Sequence, residues 1–431
     1  MLSRTCVIPP VWPEADVFSV NAPIVANPLN PKQLLLGSND STCTDTGPGF
    51  DLSNDGGLSW QHRCATPLFR NGNEFDPSGN PLVGIDRLGR MFEGGYFVID
   101  DDFSSVGILG MQRSVDGGVD WSSPTPVMGR KNAITTYAGL IVDDSPSSPY
   151  VNSVYVSAQL LILSDPTYSQ IVVSHTHDGG QTWQQVPVGV PQRFPFLELY
   201  TNLATARDGA VYVSWDLCRQ GRTRACAFGT SAIMLSKSTD GGNTWSTPTL
   251  VTHVRQTWPL PNVPNIGVDD FPVIGIDNSD GPHAGNLYIC GYSWNGSYMR
   301  VWVVRSSDGG QTWSKSVPVA PDDDTHDQFF PWLSVSPDGT VGVSWMDRRN
   351  DPANTLYQPF AAFSRDGGQT FGTNVLLNEG FSDPNRSGSG NGWIGDYTGN
   401  TWAGPDYFVA AWMDNSQTPA LEDVVGGVRL K

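Results

Sequence analysis

Short runs in which every second residue is apolar recur along the whole chain. They include Val211-Tyr-Val-Ser-Trp215, Leu287-Tyr-Ile-Cys-Gly-Tyr292, Val341-Gly-Val-Ser-Trp345 and Phe408-Val-Ala-Ala-Trp412. Alternation with a period of two is the signature of a β-strand with one side turned to a core. Clusters of Gly, Pro, Asn and Asp separate the runs, as turns require. Ahead of these second strands lie apolar first strands at 22–26, 81–85, 138–142, 201–205, 271–276, 331–335 and 392–397. No stretch keeps a helical period for long enough to compete, so the pattern predicts an all-β protein.

A phrase recurs after each third strand. It reads Ser53-Asn-Asp55-Gly-Gly-Leu-Ser-Trp60, Ser114-Val-Asp116-Gly-Gly-Val-Asp-Trp121 and Thr176-His-Asp178-Gly-Gly-Gln-Thr-Trp183. It returns as Ser238-Thr-Asp240-Gly-Gly-Asn-Thr-Trp245, Ser306-Ser-Asp308-Gly-Gly-Gln-Thr-Trp313 and Ser364-Arg-Asp366-Gly-Gly-Gln-Thr-Phe371. The aspartates stand 61, 62, 62, 68 and 58 residues apart. Such a period marks a repeat architecture in which each unit needs its neighbours. Two glycines supply positive φ, the carboxylate accepts nearby backbone N–H groups, and the aromatic residue starts the next strand.

The phrase resembles the Asp box of the bacterial-neuraminidase-type repeat, carried by sialidases and their relatives. The resemblance runs from about Ser19 to the end and implies a β-propeller whose boxes are structural hairpins on the face away from the active site. Seven first strands and six boxes predict seven blades, with the six blades of sialidases proper as the alternative. The last blade then lacks an outer strand after 424–430, and Thr5-Cys-Val-Ile-Pro9 is expected to fill it and close the ring. Seven-bladed members of this wider group include rhamnosidases and rhamnose–glucuronate lyases. Sialidases have a Phe/Tyr-Arg-Ile-Pro motif in the first blade; here Phe18-Ser-Val-Asn-Ala-Pro-Ile-Val25 has no arginine. That moves the expected substrate from sialic acid to a glycan bearing a uronic acid.

Composition refines this picture. There are 47 Gly, 33 Pro and 15 Trp in 431 residues, which suits one turn-rich propeller domain spanning 1–431. The net charge of −18 disfavours nucleic acid and anionic membrane as main partners. No long apolar segment follows Met1 or occurs elsewhere, so a mature secreted protein, acting as a monomer, is expected. Cys43 and Cys64 bracket the first box and Cys218 and Cys226 bracket one loop, as staples would; Cys6 and Cys290 are left over. Asn39, Asn295 and Asn385 begin Asn-x-Ser sequons.

Strands in a blade alternate direction, so loops between second and third strands, and between blades, share the face opposite the boxes. Half of the arginines map there: Arg70, Arg130, Arg193, Arg219, Arg222, Arg224, Arg255, Arg348, Arg349 and Arg386. The planar guanidinium grips a carboxylate bidentately, so Arg348, Arg349, Arg219 and Arg222, with Asp347 and Trp258, are the expected substrate-binding residues. His326 could move a proton near neutral pH, and Asp270 opens the inner strand of blade five. Tyr397 is placed to line the channel, where the resemblance implies a sialidase-type tyrosine nucleophile, with Tyr137 and Tyr200 as equally placed rivals. No cofactor is required; Ca²⁺ would suit the carboxylates of Asp216, Asp270, Asp347 and Asp396. The expected activity is cleavage of a terminal sugar at or next to an acidic sugar, as lyase or glycosidase. An exo-sialidase and a non-catalytic propeller lectin are the alternatives.

Overall fold

A computed structural model describes residues 6–13, 18–43, 47–99, 107–130, 132–163, 168–219, 229–257, 259, 262, 267–321, 325–388 and 393–430. Seven antiparallel sheets form from consecutive stretches of chain. Blade four shows the plan: Phe196–Thr205, Val211–Arg219, Gly229–Ser238 and Thr249–Gln256 pair in chain order from the axis outward. Each innermost strand touches the innermost strands of both neighbouring blades, and the last returns to the first. The molecule is therefore a seven-bladed β-propeller, and a six-bladed count is excluded. Its core lies between blades, where apolar faces of adjacent sheets meet; Trp215, Trp345 and Trp412 are fully buried there.

The repeated turns explain why the sequence insists on their residues. The paired glycines of all six lie at φ between 71° and 94°, which a side chain resists. In every turn the opening Ser or Thr hydroxyl donates to the Asp at 2.7–2.9 Å. The same oxygen accepts the amide of the second glycine at 2.9–3.0 Å. Where Ser59 and Thr312 donate their hydroxyls, the carboxylates of Asp55 and Asp308 are held down at about 2.

Ring closure is as the strand count predicts. Cys6–Val11 pairs antiparallel with Glu422–Arg429, outside Tyr407–Asp414 and Gly399–Trp402, and completes blade seven. The start of blade one adds a second stitch: Ser19 N–H donates to Leu421 O at 3.0 Å, and Asp423 N–H donates to Ser19 Oγ at 2.8 Å. One boundary differs from expectation. The seventh inner strand is Gly399–Trp402, not 392–397, because Trp393–Thr398 forms irregular chain that loops over the axis. Cys43 and Cys64 are disulfide-bonded. Cys218 is a disulfide cysteine too, and its expected partner Cys226 lies outside the described residues. Cys6 and Cys290 are free. Of the sequons, Asn39 is buried in a strand, whereas Asn295 and Asn385 are exposed. No helix among the described residues is long and apolar enough to cross a membrane.

Candidate active site at the propeller axis

The inner strands do not run straight to the loop face. Asn21, Asn80, Tyr137, Tyr200 and Phe330, near the starts of five of them, have φ of 70°, 52°, 53°, 56° and 49°. At Tyr137, Tyr200 and Phe330 the pairing register shifts, so each is the extra residue of a bulge. Positive φ is strained for an aromatic residue, and such strain concentrates at functional sites. Its effect here is to swing aromatic rings across the axis. Tyr137 lies 4.6 Å from Tyr200, Tyr200 lies 5.2 Å from Phe271, and Phe271 lies 5.2 Å from Tyr397, between ring centroids. Together they plug the channel.

Two carboxylates sit on this plug. Asp269 comes from the segment preceding the inner strand of blade five and accepts the Tyr200 hydroxyl at 2.7 Å. Asp396 comes from the irregular segment of blade seven. Its Oδ1 accepts Trp393 Nε1 at 2.9 Å, and its Oδ2 accepts Asn21 Nδ2 at 3.1 Å. Asn21 also accepts the Asp396 amide at 2.6 Å, so blade one fixes the position of a blade-seven carboxylate. Tyr200, Phe271 and Tyr397 are buried as a floor, while Tyr137, Asp269, Trp393 and Asp396 are half-buried and reach the surface.

The electrostatics separate the roles. Burial, then the negative charge of Asp396, push the Asp269 carboxyl up to about 8, against the lowering effect of the Tyr200 bond. Burial also raises Asp396, which the Trp393 and Asn21 bonds oppose. Two interacting acids titrate as a pair, and the charge of either one makes the other harder to ionise. Burial, then the charge of Asp269, drive the Tyr200 hydroxyl well above its ordinary value; burial and the same charge do so for Tyr137. This arrangement keeps the tyrosines as hydrogen-bond donors.

The expected residues fall as follows. Tyr200 is in the cluster but buried under Asp269. Tyr397 is in the floor, and its hydroxyl donates to Pro81 O at 3.2 Å rather than facing the surface. Asp270 does not reach the axis. Strand-like alternation turns Val268 and Asp270 inward, where Asp270 Oδ1 accepts Tyr292 N–H at 2.9 Å, and leaves its neighbour Asp269 facing the plug. Asp216 is likewise buried, accepting Gln256 Nε2 at 2.6 Å. Arg348 is completely buried, 3.4 Å from Asp327 and over the Phe329 ring, so it is not on the accessible face. Arg349 pairs with Asp347 at 2.6 Å and donates to Asn374 at 2.9 Å. Asp347 is further engaged by Trp345 Nε1 at 2.7 Å. His326 is half-buried with Nδ1 3.0 Å from Thr325 Oγ1. Arg219 is exposed on the loop face. Arg222, Arg224 and Trp258 lie outside the described residues.

For metals, the one group of three or more His, Cys, Asp or Glu donor atoms close enough to share an ion, among the described residues, is Cys43, His62 and Cys64. Two of those three donors are consumed by the disulfide. Asp216, Asp270, Asp347 and Asp396 do not form such a group: Asp216 and Asp270 interact and share Gln256, whereas Asp347 and Asp396 have their own local partners.

A cavity of about 490 Å³ lies on the other side of the plug. It is lined by the inner strands and by first-to-second strand turns, which share a face with the boxes; Gln33 Nε2, for example, donates to Asn54 Oδ1 of the first box at 2.9 Å. Among the described residues its only charged lining residues are Arg87 and Asp144, and the Arg87 guanidinium donates to the backbone O of Asp144 at 3.3 Å. The ring geometry accounts for this hole, and the coupled acids are not among its lining residues.

No protein-family model matches the sequence, and no curated protein does. Solved structures do resemble the fold. An ulvan lyase of polysaccharide lyase family PL25 superposes with a TM-score of 0.55 at 13% identity, covering 98% of this chain and 95% of that one. A protein of unknown function from Dyadobacter fermentans gives 0.54 at 10% identity, covering 100% and 99%. The Hadza microbial sialidase Hz136 gives 0.50 at 15% identity, covering 92% and 76%. At these identities the likeness is one of fold.

Proposed function

We propose that this propeller is a glycan-cleaving enzyme whose reaction centre is the Asp269–Asp396 pair on the axial plug, and that it acts on a neutral sugar beside an acidic one. The observation that carries the reading is a pair of interacting, half-buried carboxylates held by residues from blades one, four and seven. Two carboxyl groups in different protonation states are what glycoside hydrolysis needs. Asp269, protonated near neutrality, would protonate the leaving oxygen of the glycosidic bond. Asp396, whose ionised form the Trp393 and Asn21 bonds favour against the effect of burial, would stabilise positive charge at the anomeric carbon or direct water to it when ionised. Tyr137 and Trp393 would bound the sugar ring. A uronate placed directly on two acids would be repelled, so the sugar at the centre is neutral and its neighbour carries the charge. An exported location agrees with the Cys43–Cys64 disulfide.

Elimination is the second reading, because the ulvan lyase that shares this fold is a polysaccharide lyase. It would need a tyrosinate or other base, and the hydroxyls of Tyr137 and Tyr200 are driven the wrong way, by burial first and then by their acidic neighbours. Product analysis after incubation with gum arabic, rhamnogalacturonan and ulvan separates the two. Hydrolysis releases a saturated reducing sugar, whereas elimination leaves an unsaturated uronate that absorbs in the ultraviolet. Asp269→Asn should lower kcat by about 10²–10⁴-fold, the usual range for loss of a general acid, with KM little changed. Wild-type turnover in that variant would remove Asp269 from the mechanism.

A further inference from the structure

The loop face of blades three and four carries a surface that the axial centre does not use. Phe194, 61% exposed, lies in the short turn after the outer strand of blade three, and Phe196, 46% exposed, opens the inner strand of blade four. Two arginines neighbour these residues, one along the chain and one across the strand pair. Arg193 ends the outer strand, in register with Tyr168, and Arg219 ends the second strand of blade four, in register with Phe196. Both arginines are exposed. Among the described residues neither forms an ion pair, although Arg348, Arg349, Arg386 and Arg429 all do, in a chain of net charge −18. Exposed aromatic residues next to cations that form no ion pair among the described residues, in so acidic a protein, call for a ligand with a flat apolar side and a negative charge.

We infer that Arg193, Phe194, Phe196 and Arg219 form a second glycan-binding site, for the uronic acid residues of a polysaccharide whose other end occupies the axial centre. This rests on the reading of the axial pair given above, and adds where the acidic sugars go. The geometry fits. Phe196 lies four residues before Tyr200 on the same inner strand, about 13 Å away at the rise of a β-strand, a distance a short oligosaccharide spans. The charge also fits: Asp269 and Asp396 repel a carboxylate at the axis, and the two arginines attract it further along. Sugar rings would lie against Phe194 and Phe196, and the carboxylate would meet a guanidinium fork.

The probe is polygalacturonate, with dextran as the neutral control, in affinity electrophoresis of the full chain. Wild type should be retarded by polygalacturonate and not by dextran, and the retardation should weaken with added salt. Phe194→Ala/Phe196→Ala and Arg193→Ala/Arg219→Ala should each bind polygalacturonate about tenfold more weakly, one decade in Kd. Arg193→Lys/Arg219→Lys should restore only part of the loss. All four side chains are exposed, so the variants should retain wild-type circular dichroism. Asp269→Asn should bind polygalacturonate as wild type does even where it no longer turns substrate over. If Asp269→Asn is fully active, the axial reading fails and the second site is judged by binding alone. Wild-type retardation in both patch variants, equal retardation by dextran, or no retardation of wild type overturns the proposal. So does loss of self-association, seen by light scattering, as the only effect of the patch variants.

Discussion

Side-chain direction, more than residue type, decides this protein's chemistry. Asp269 and Asp270 are adjacent and identical, yet one meets a tyrosine hydroxyl at the axis and the other is sealed between blades. Tyr200 tunes the first. Its hydrogen bond favours the ionised form of Asp269 while the charge of Asp396 opposes it, so removing the donor must raise the carboxyl further. If the protonated acid is the active form, activity falls as pH rises through the Asp269 value near 8. Tyr200→Phe should therefore move the alkaline limb of kcat/KM upward, whereas Asp396→Asn should move the limb of any residual activity downward. A limb that stays put in both variants would mean that another group controls it. The arginines teach the same lesson. Arg348 and Arg349 are spent on Asp327 and Asp347, while Arg219, expected from the sequence beside them, and Arg193 face solvent.

The element that the chain repeats is the six-fold turn, and its value is structural. In the fourth copy Asp240 accepts Ser238 Oγ at 2.8 Å, Thr244 N at 2.8 Å and Thr244 Oγ1 at 2.6 Å. Asp240→Ala leaves those donors to water at a turn that must hold two positive-φ glycines. A cost of about 1–3 kcal/mol in unfolding free energy is expected from lost hydrogen bonds of this kind, with turnover per folded molecule unchanged. Chemical denaturation paired with active-site titration reads both. A folded but inactive Asp240→Ala would place the working face on the box side, at the channel cavity. The inner-strand bulges are the counterpart on the loop face, where they aim Tyr137, Tyr200 and Phe330 instead of extending the ladder.

At the scale of the whole ring, the two ends of the chain share one blade. Cys6–Val11 has no fully buried residue, yet it covers the edge of Glu422–Arg429, and Ile8 and Trp12 pack onto neighbouring core. Removing residues 1–11 should lower the melting temperature and favour aggregation through the opened strand edge. Differential scanning calorimetry with light scattering tests this; an unchanged transition would mean that the Ser19 stitches to Leu421 and Asp423 close the ring by themselves. Closure bears on the site as well, since Asn21 reaches from the first blade to hold Asp396 in the last.

The sequence by itself determined what is local or periodic. Alternating apolar residues specified strands, the repeated Asp-Gly-Gly turn specified their connections, and seven first strands against six turns specified both blade number and the use of the N-terminal strand. Sorting loops by strand direction also brought the axial tyrosines and the exposed arginines to one face. Only the tertiary structure decided which acid and which arginine are available there. The phase of a bulged or irregular segment sets which of two neighbouring aspartates points inward, and no pattern in the chain encodes that phase. Ion pairs such as Arg348–Asp327 join residues 21 apart whose meeting depends on blade packing. Asp396, named from the sequence only as one of four carboxylates suited to Ca²⁺, became a catalytic candidate once Asn21, from the opposite end of the chain, was seen to hold it. Charge state follows burial and neighbours, and both belong to the folded ring.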